Sequence, residues 1–419
     1  MLRLFALSDK RILILLFVLS LALKCAYILF TRSYDQPYRY EYDYIARNLI
    51  TGQGYTFKGH ATAYMMPAYT LLLAAVMATT PLYLWYLIIE LLQAVLLASV
   101  VFLTYHSALH FFDRSTALLS AALVAVYPLF VSIPSQLIVE NLSLFLLLLS
   151  LSCCLWYLAR SDIKNAVVCG VALGALVMTK GRMIIYAVLL LVWLVVQLWQ
   201  QRKLTWRFWL IPLIVVIMTA PWVIRNYVVF HKLIFFELNF GENLWIGFNP
   251  HAGGFSKPLD GGTWDLFYDD ELLKQFQAFR HDEAKMDQIF LEHALQFIRS
   301  HPEESLHLVL KKALFFWWVE PTNRKMNIAV YYLPWGWVLV TFVLGCLFSF
   351  RQWRKHLLLF LFIIATMFVG MMFFVMVRLR IPVEPLFIMY SSYGIVTVYF
   401  WIRNAFQKNC RVGRRGSSP

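Results

Sequence analysis

Seven ionisable side chains that are far apart in the chain stand where apolar runs begin or end. They are Glu140 in SQLIVENL, Lys180 and Arg182 in MTKGRM, Arg225 in APWVIRN, and Arg378, Arg380 and Glu384 in VRLRIPVEP. A charge set into hydrocarbon costs about 3 kcal/mol or more unless it is paired or wetted, so such residues mark functional surfaces by default. Any one of them taken singly is equally well read as an interfacial snorkelling side chain. As a group they mix acids with bases and have Pro or Gly beside several members, and that composition suits a site. Guanidinium and ammonium groups at headgroup depth can hold phosphate oxygens. Carboxylates above them can take a proton from an attacking hydroxyl, and two carboxylates sharing a cavity shift apart in pKa, which helps one remain a base. Three more acids, Asp35, Glu41 and Asp43, lie in the polar stretch 31–67 among many tyrosines. The chemistry described is group transfer, in which a hydroxyl activated by Asp or Glu displaces a phosphate held by Arg and Lys.

These residues need a membrane scaffold. The chain of 419 residues is 61% hydrophobic and 14% charged, and apolar runs of about twenty residues recur along it, the pattern of a polytopic helical membrane protein. Ten spans are expected, at 12–30, 82–104, 115–134, 138–158, 166–183, 184–200, 208–224, 331–350, 356–377 and 383–402. The run 68–79 is too short to cross and suits a re-entrant or interfacial helix. The first run follows basic residues but is long, lacks a small-residue cleavage site and contains Lys24, so it is read as a retained span. With the N-terminus in the cytoplasm, the short connections, the N-terminal segment and the tail on that side carry 17 of the 37 Lys and Arg and 3 of the 23 acids, and the remaining 20 and 20 balance. The whole excess of +14 then sits on one face, as the positive-inside bias requires. The basic tail, 403–419, reads as an anchor on anionic lipid and not as a nucleic-acid site.

The expected organisation is a single all-α membrane domain with two large outer loops, 31–81 and 225–330. The second contains a Gly/Pro/Asn-rich stretch, an amphipathic helical pattern over about 272–300, and a helix over 302–318 with Lys311 and Lys312 on its polar side. Asn243 and Asn249 in this loop are candidate hydrogen-bond partners for sugar or acceptor hydroxyls, or simply turn caps. Glu90, alone within its span, is set aside as structural. His106 and His110 face the cytoplasm, and no His or Cys spacing suggests a metal centre, although the carboxylates are able to hold a divalent cation. The six cysteines lie in or beside apolar runs or in the tail, so no disulfide framework is expected. There is no P-loop, nucleophile elbow or dinucleotide fingerprint, which turns attention from soluble nucleotide donors to lipid-carried ones.

Taken in order, EYDYIARNLITGQGY with PAYTLLLA, YPLFVSIPSQLIVENL, GVALGALVMTKGR, APWVIRNYVVF with GENLWIGFNP, and RLRIPVEPL resemble the GT-C glycosyltransferases. The likeness is to the prokaryotic branch related to dolichyl-phosphate-mannose-protein mannosyltransferases and lipid A aminoarabinose transferases. It implies that an acceptor hydroxyl attacks a polyprenyl-phosphate-linked sugar on the outer face of a bacterial inner membrane. An acid of the first outer loop would be the base (Glu41 or Asp35), Glu140 the assisting acid, and Lys180, Arg182, Arg225, Arg378 and Arg380 the phosphate ligands. The acceptor stays open among glycolipid, polysaccharide and protein. Two departures stand out: relatives place an Asp four residues before the tyrosine matched by Tyr42, where this chain has Tyr38, and their Arg-Pro becomes Lys180-Gly181-Arg182. The rival readings are a transporter or flippase of a lipid-linked saccharide, which should carry its charges near the bilayer midplane, and a polysaccharide ligase or polymerase.

Overall fold

The computed structural model describes residues 7–37, 41–256, 270–279, 282–318 and 328–415. Tyr38, the position at which the resemblance implies an acid, lies outside the described residues.

The architecture is almost wholly helical, and the chain is a multi-pass integral membrane protein. Among the described residues, seven helical stretches are long and apolar enough to cross a bilayer, or eight if the bent pair Arg114–Val126 and Pro128–Ser135 counts as one. The bend of 47° falls at Tyr127-Pro128, where proline cannot donate the helical hydrogen bond. Helices occupy all ten expected positions, yet two differ from a simple span. Ile163–Val177 has only 15 residues, because the chain leaves the helix at Met178 to form the turn that carries Lys180 and Arg182. Ala329–Met372 is a helical stretch of 44 residues, interrupted only by a 3₁₀ turn at Phe350–Gln352. The last helix, Glu384–Arg415, runs on through most of the expected tail, since no breaker separates its apolar and basic parts.

Ends of helices are fixed by local chemistry. Asp113 caps Arg114–Val126 by accepting from Ser115 N at 2.9 Å and Thr116 N at 3.1 Å, and Asp162 caps Ile163–Val177 by accepting from Asn165 N at 2.8 Å. Each satisfies amides that the first helical turn leaves without partners.

The two segments expected to form outer loops both line one cavity at the helix ends. The first holds the helix Glu41–Ile50, a short hairpin pairing Thr56–Phe57 with His60–Ala61, and the helix Pro67–Thr79, whose Tyr69, Thr70 and Leu73 are buried. The second holds Phe240–Gly247, Asp270–Phe279, Glu283–Ser300 and Pro302–Phe316, so the amphipathic pattern over 272–300 is two helices and not one. Leu244, Trp245, Met286, Ile289, Phe290 and Phe297 form their common apolar core. Gly247 permits this layer to dock: a Cβ there would lie 1.8 Å from the Phe373 carbonyl oxygen.

Lys312 departs from its expected polar position. It shares the buried face of Pro302–Phe316 with Ser305, Leu308 and Phe316, as their spacing of three and four residues requires. Its amine lies 3.5 Å from the centre of the Phe248 ring and has no hydrogen-bond partner, and burial pushes its pKa down to about 7. The opposite, outward face carries Leu306, Leu310 and Leu314, a stripe fit for lipid contact.

Candidate active site

A cavity of about 1060 Å³ opens where the two outer loops meet the ends of the membrane helices. Its inner polar wall is made by Glu140, Lys180, Arg182, Glu237 and Arg378. Its apolar wall is made by Ile184, Ile185, Phe368, Val369 and Met372, and its outer rim by Glu41, Tyr44, Tyr64, Asn239, Glu242 and Asn243.

The polar wall is an ion cluster with cations in excess. Glu140 opens the helix Glu140–Ala159 and is almost fully buried. It accepts a hydrogen bond from Lys180 Nζ at 3.0 Å and lies 3.7 Å from Arg182 Nη2. Arg378 adds its field to the same carboxylate. Three cations therefore act on Glu140, and two of them, Lys180 and Arg182, act on Glu237 as well. Among the described residues, Arg182 Nε and Nη2 are nevertheless buried without a hydrogen-bond partner. Buried donors without partners cost about 1–3 kcal/mol each, so this guanidinium is presented to a ligand.

Glu237 was not legible as a site residue in the sequence, where FFELNF carries no motif. Its Oε1 accepts from Gly181 N at 3.3 Å, and its Oε2 is buried without a hydrogen-bond partner among the described residues. Burial raises its pKa, against the opposing pull of Lys180 and Arg182. A Cβ at Gly181 would lie 3.0 Å from Phe236 Cβ, a tight contact that favours glycine here.

At the rim, Glu41 begins the helix Glu41–Ile50 and faces the cavity. Glu242 sits beside it, hydrogen-bonded to Tyr64, with its pKa pushed up to about 7 by burial and by the charges of Asp287 and Glu41. Asp287 caps the helix beneath Glu242, accepting from Gly241 N at 2.7 Å and from Glu242 N at 3.3 Å. Asn243 donates to Asn239 Oδ1 at 3.0 Å, and Asn239 donates to the Tyr64 carbonyl at 3.0 Å.

The other expected site residues stand away from the cavity. Asp35 is exposed and does not line it. Arg225 donates to the carbonyls of Thr62 at 2.7 Å and Tyr55 at 3.0 Å, which fastens the first outer loop to the helix Leu210–Phe230. Glu283 joins the same loop to the helix Glu283–Ser300 by accepting from Ala63 N at 2.9 Å. Arg380 pairs with Glu384 at 2.9 Å and donates to the carbonyls of Phe316 at 2.7 Å and Trp318 at 3.0 Å, so it satisfies the open C-terminal end of Pro302–Phe316. Asn249 donates to the Trp245 carbonyl at 2.8 Å and accepts from His251 N at 2.8 Å, the bonding of a turn cap. Asp43 is buried, paired with Arg47 at 3.3 Å and hydrogen-bonded by Tyr86. Glu90 accepts from Ser33 Oγ at 2.7 Å, which ties the first outer loop to its own helix. Among the described residues no group of three or more His, Cys, Asp and Glu is placed to hold a metal ion.

The scaffold has the fold of a solved membrane oligosaccharyltransferase, and one stretch of the sequence matches a family model. Residues 86–224 match the family model described as dolichyl-phosphate-mannose-protein mannosyltransferase. Among solved structures, the chain is similar to the apo oligosaccharyltransferase of Archaeoglobus fulgidus, at 13% identity and a TM-score of 0.54 over 96% of this chain and 53% of that one. The same enzyme tethered to an acceptor peptide containing the NVT sequon matches at 14% identity and a TM-score of 0.50, over 94% and 50% of the two chains. ArnT from Cupriavidus metallidurans bound to undecaprenyl phosphate aligns over 91% of this chain and 77% of that one, at 14% identity and a TM-score of 0.43. This chain spans about half the length of the archaeal enzyme. No curated protein matches the sequence.

Proposed function

We propose that the protein transfers a sugar from a polyprenyl-phosphate donor to an acceptor hydroxyl within this cavity. The observation that carries the reading is the cluster Lys180, Arg182 and Arg378, in which Arg182 presents buried, unpartnered donors beside an apolar wall. A phosphate on a long apolar tail fits both features: its oxygens meet the cations, and its chain lies along Ile184, Ile185, Phe368 and Met372. The family description at 86–224 names a dolichyl-phosphate-linked sugar, which supports the same donor class. Arg225, Arg380 and Asn249 have no place in this proposal, because their hydrogen bonds are taken up by backbone groups.

Glu41 is the proposed base and Asn243 a contact for a sugar or acceptor hydroxyl. As the acceptor oxygen attacks the anomeric carbon, its proton passes to the Glu41 carboxylate and the bond from that carbon to the phosphate oxygen breaks. The electron pair leaves on polyprenyl phosphate, whose added charge Arg182, Lys180 and Arg378 stabilise. Glu140 holds Lys180 and Arg182 in position. The residues 31–81 and 225–330 form the outer face in a ten-span topology with both termini in the cytoplasm of a bacterium. The stretch of 44 residues at 329–372 is about 66 Å of helix at 1.5 Å per residue, twice what one crossing needs. The test is transfer by the purified protein, with a polyprenyl-phosphate sugar as donor and a hydroxyl acceptor from the cell envelope. Binding of the lipid without sugar transfer would favour a carrier.

A further inference from the structure

We infer that Glu237 is a counter-anion built into the phosphate cradle: it holds the Lys180-Gly181-Arg182 turn in place and opposes retention of the phosphate product. The inference rests on the reading of the cavity as a lipid-phosphate site. One carboxylate oxygen of Glu237 accepts the Gly181 amide at 3.3 Å, while the other is buried without a partner. The segment carrying it lies directly on the turn, since a Cβ at Gly181 would meet Phe236 Cβ at 3.0 Å and Glu237 Cγ at 3.5 Å. Lys180, Arg182 and Glu140 are the charged groups that act on it. Burial lifts its carboxyl above the ordinary range, so an incoming anion acts on a carboxylate already disposed to take up a proton.

The charge balance gives Glu237 a function distinct from support. Removing the negative charge of Glu237 makes the surroundings of Lys180, Arg182 and Arg378 more positive by one. The donor is a phosphodiester with one negative charge, whereas the product is a phosphomonoester with about −1.5 to −2. A cradle of cations alone therefore favours product over donor and is inhibited by what it releases. Glu237 lessens that preference, because its repulsion falls more heavily on the more charged species.

The test compares Glu237→Gln with Glu237→Ala at pH 8. The readouts are the dissociation constant of farnesyl phosphate and steady-state transfer. Gln keeps an oxygen for the Gly181 amide and removes the charge, so farnesyl phosphate should bind about tenfold more tightly, and both kcat and KM should fall as product release slows. Ala removes the support as well and should bind more weakly than Gln. Equal or weaker binding by Glu237→Gln than by the native protein overturns the inference and leaves a supporting role only. If the native protein does not bind farnesyl phosphate at all, the reading of the cavity itself fails.

Discussion

Replacing Arg182 by alanine tests the phosphate cradle directly. The side chain has two buried nitrogens, Nε and Nη2, without a hydrogen-bond partner. Hydrogen bonds between a guanidinium and a phosphate are charge-assisted and contribute about 1.5–3 kcal/mol each. Losing two removes about 3–6 kcal/mol of transition-state stabilisation, a fall of roughly 10²–10⁴ in kcat/KM at about 1.4 kcal/mol per decade. Arg182→Lys keeps the charge and one contact and should lose about tenfold. Folding should be little affected, because Glu140 remains paired with Lys180 at 3.0 Å. The assay is steady-state transfer from a polyprenyl-phosphate sugar by protein of native elution profile and melting temperature. A folded Arg182→Ala variant within threefold of the native kcat/KM would refute the assignment.

Glu41→Gln should lower kcat by about 10² or more with little change in KM, whereas Asp35→Asn, outside the cavity, should stay within twofold; equal effects in the two variants would remove Glu41 from the mechanism. Arg225→Ala leaves the carbonyls of Thr62 and Tyr55 without their donor and should lower stability by about 2–4 kcal/mol, seen as a lower melting temperature and faster proteolysis in the first outer loop. The pKa of Glu242 is pushed up to about 7, so its protonated form is preferred in the fold. The resulting stabilisation is fully present below the ordinary glutamate range and is lost as pH rises through about 7. Glu242→Gln should therefore raise the melting temperature at pH 8 and leave it nearly unchanged at pH 4.5; the opposite pH dependence would contradict this environment for Glu242.

Much of the scaffold was legible because apolar runs are a strong signal, and helices stand where those runs lie. Glu140, Lys180, Arg182 and Arg378 were legible as a group because charges at the ends of apolar runs are rare. Arg225 and Arg380 look the same in sequence but bond to backbone carbonyls, a distinction that depends on where distant loop residues come to rest. Glu237 was missed because nothing nearby in sequence predicts that FFELNF lies on the turn at Gly181. Lys312 was misplaced because two adjacent lysines on an amphipathic helix look equally polar, and only the packing of Phe248 separates them.

The most direct test of the central claim is a single-turnover experiment with a polyprenyl-phosphate sugar carrying a labelled sugar, using native protein and Arg182→Ala in lipid nanodiscs with envelope acceptor. The account predicts that labelled sugar appears on the acceptor in step with release of an equal amount of polyprenyl monophosphate, and that Arg182→Ala slows both together. Movement of intact labelled lipid across the bilayer with no monophosphate formed would contradict it.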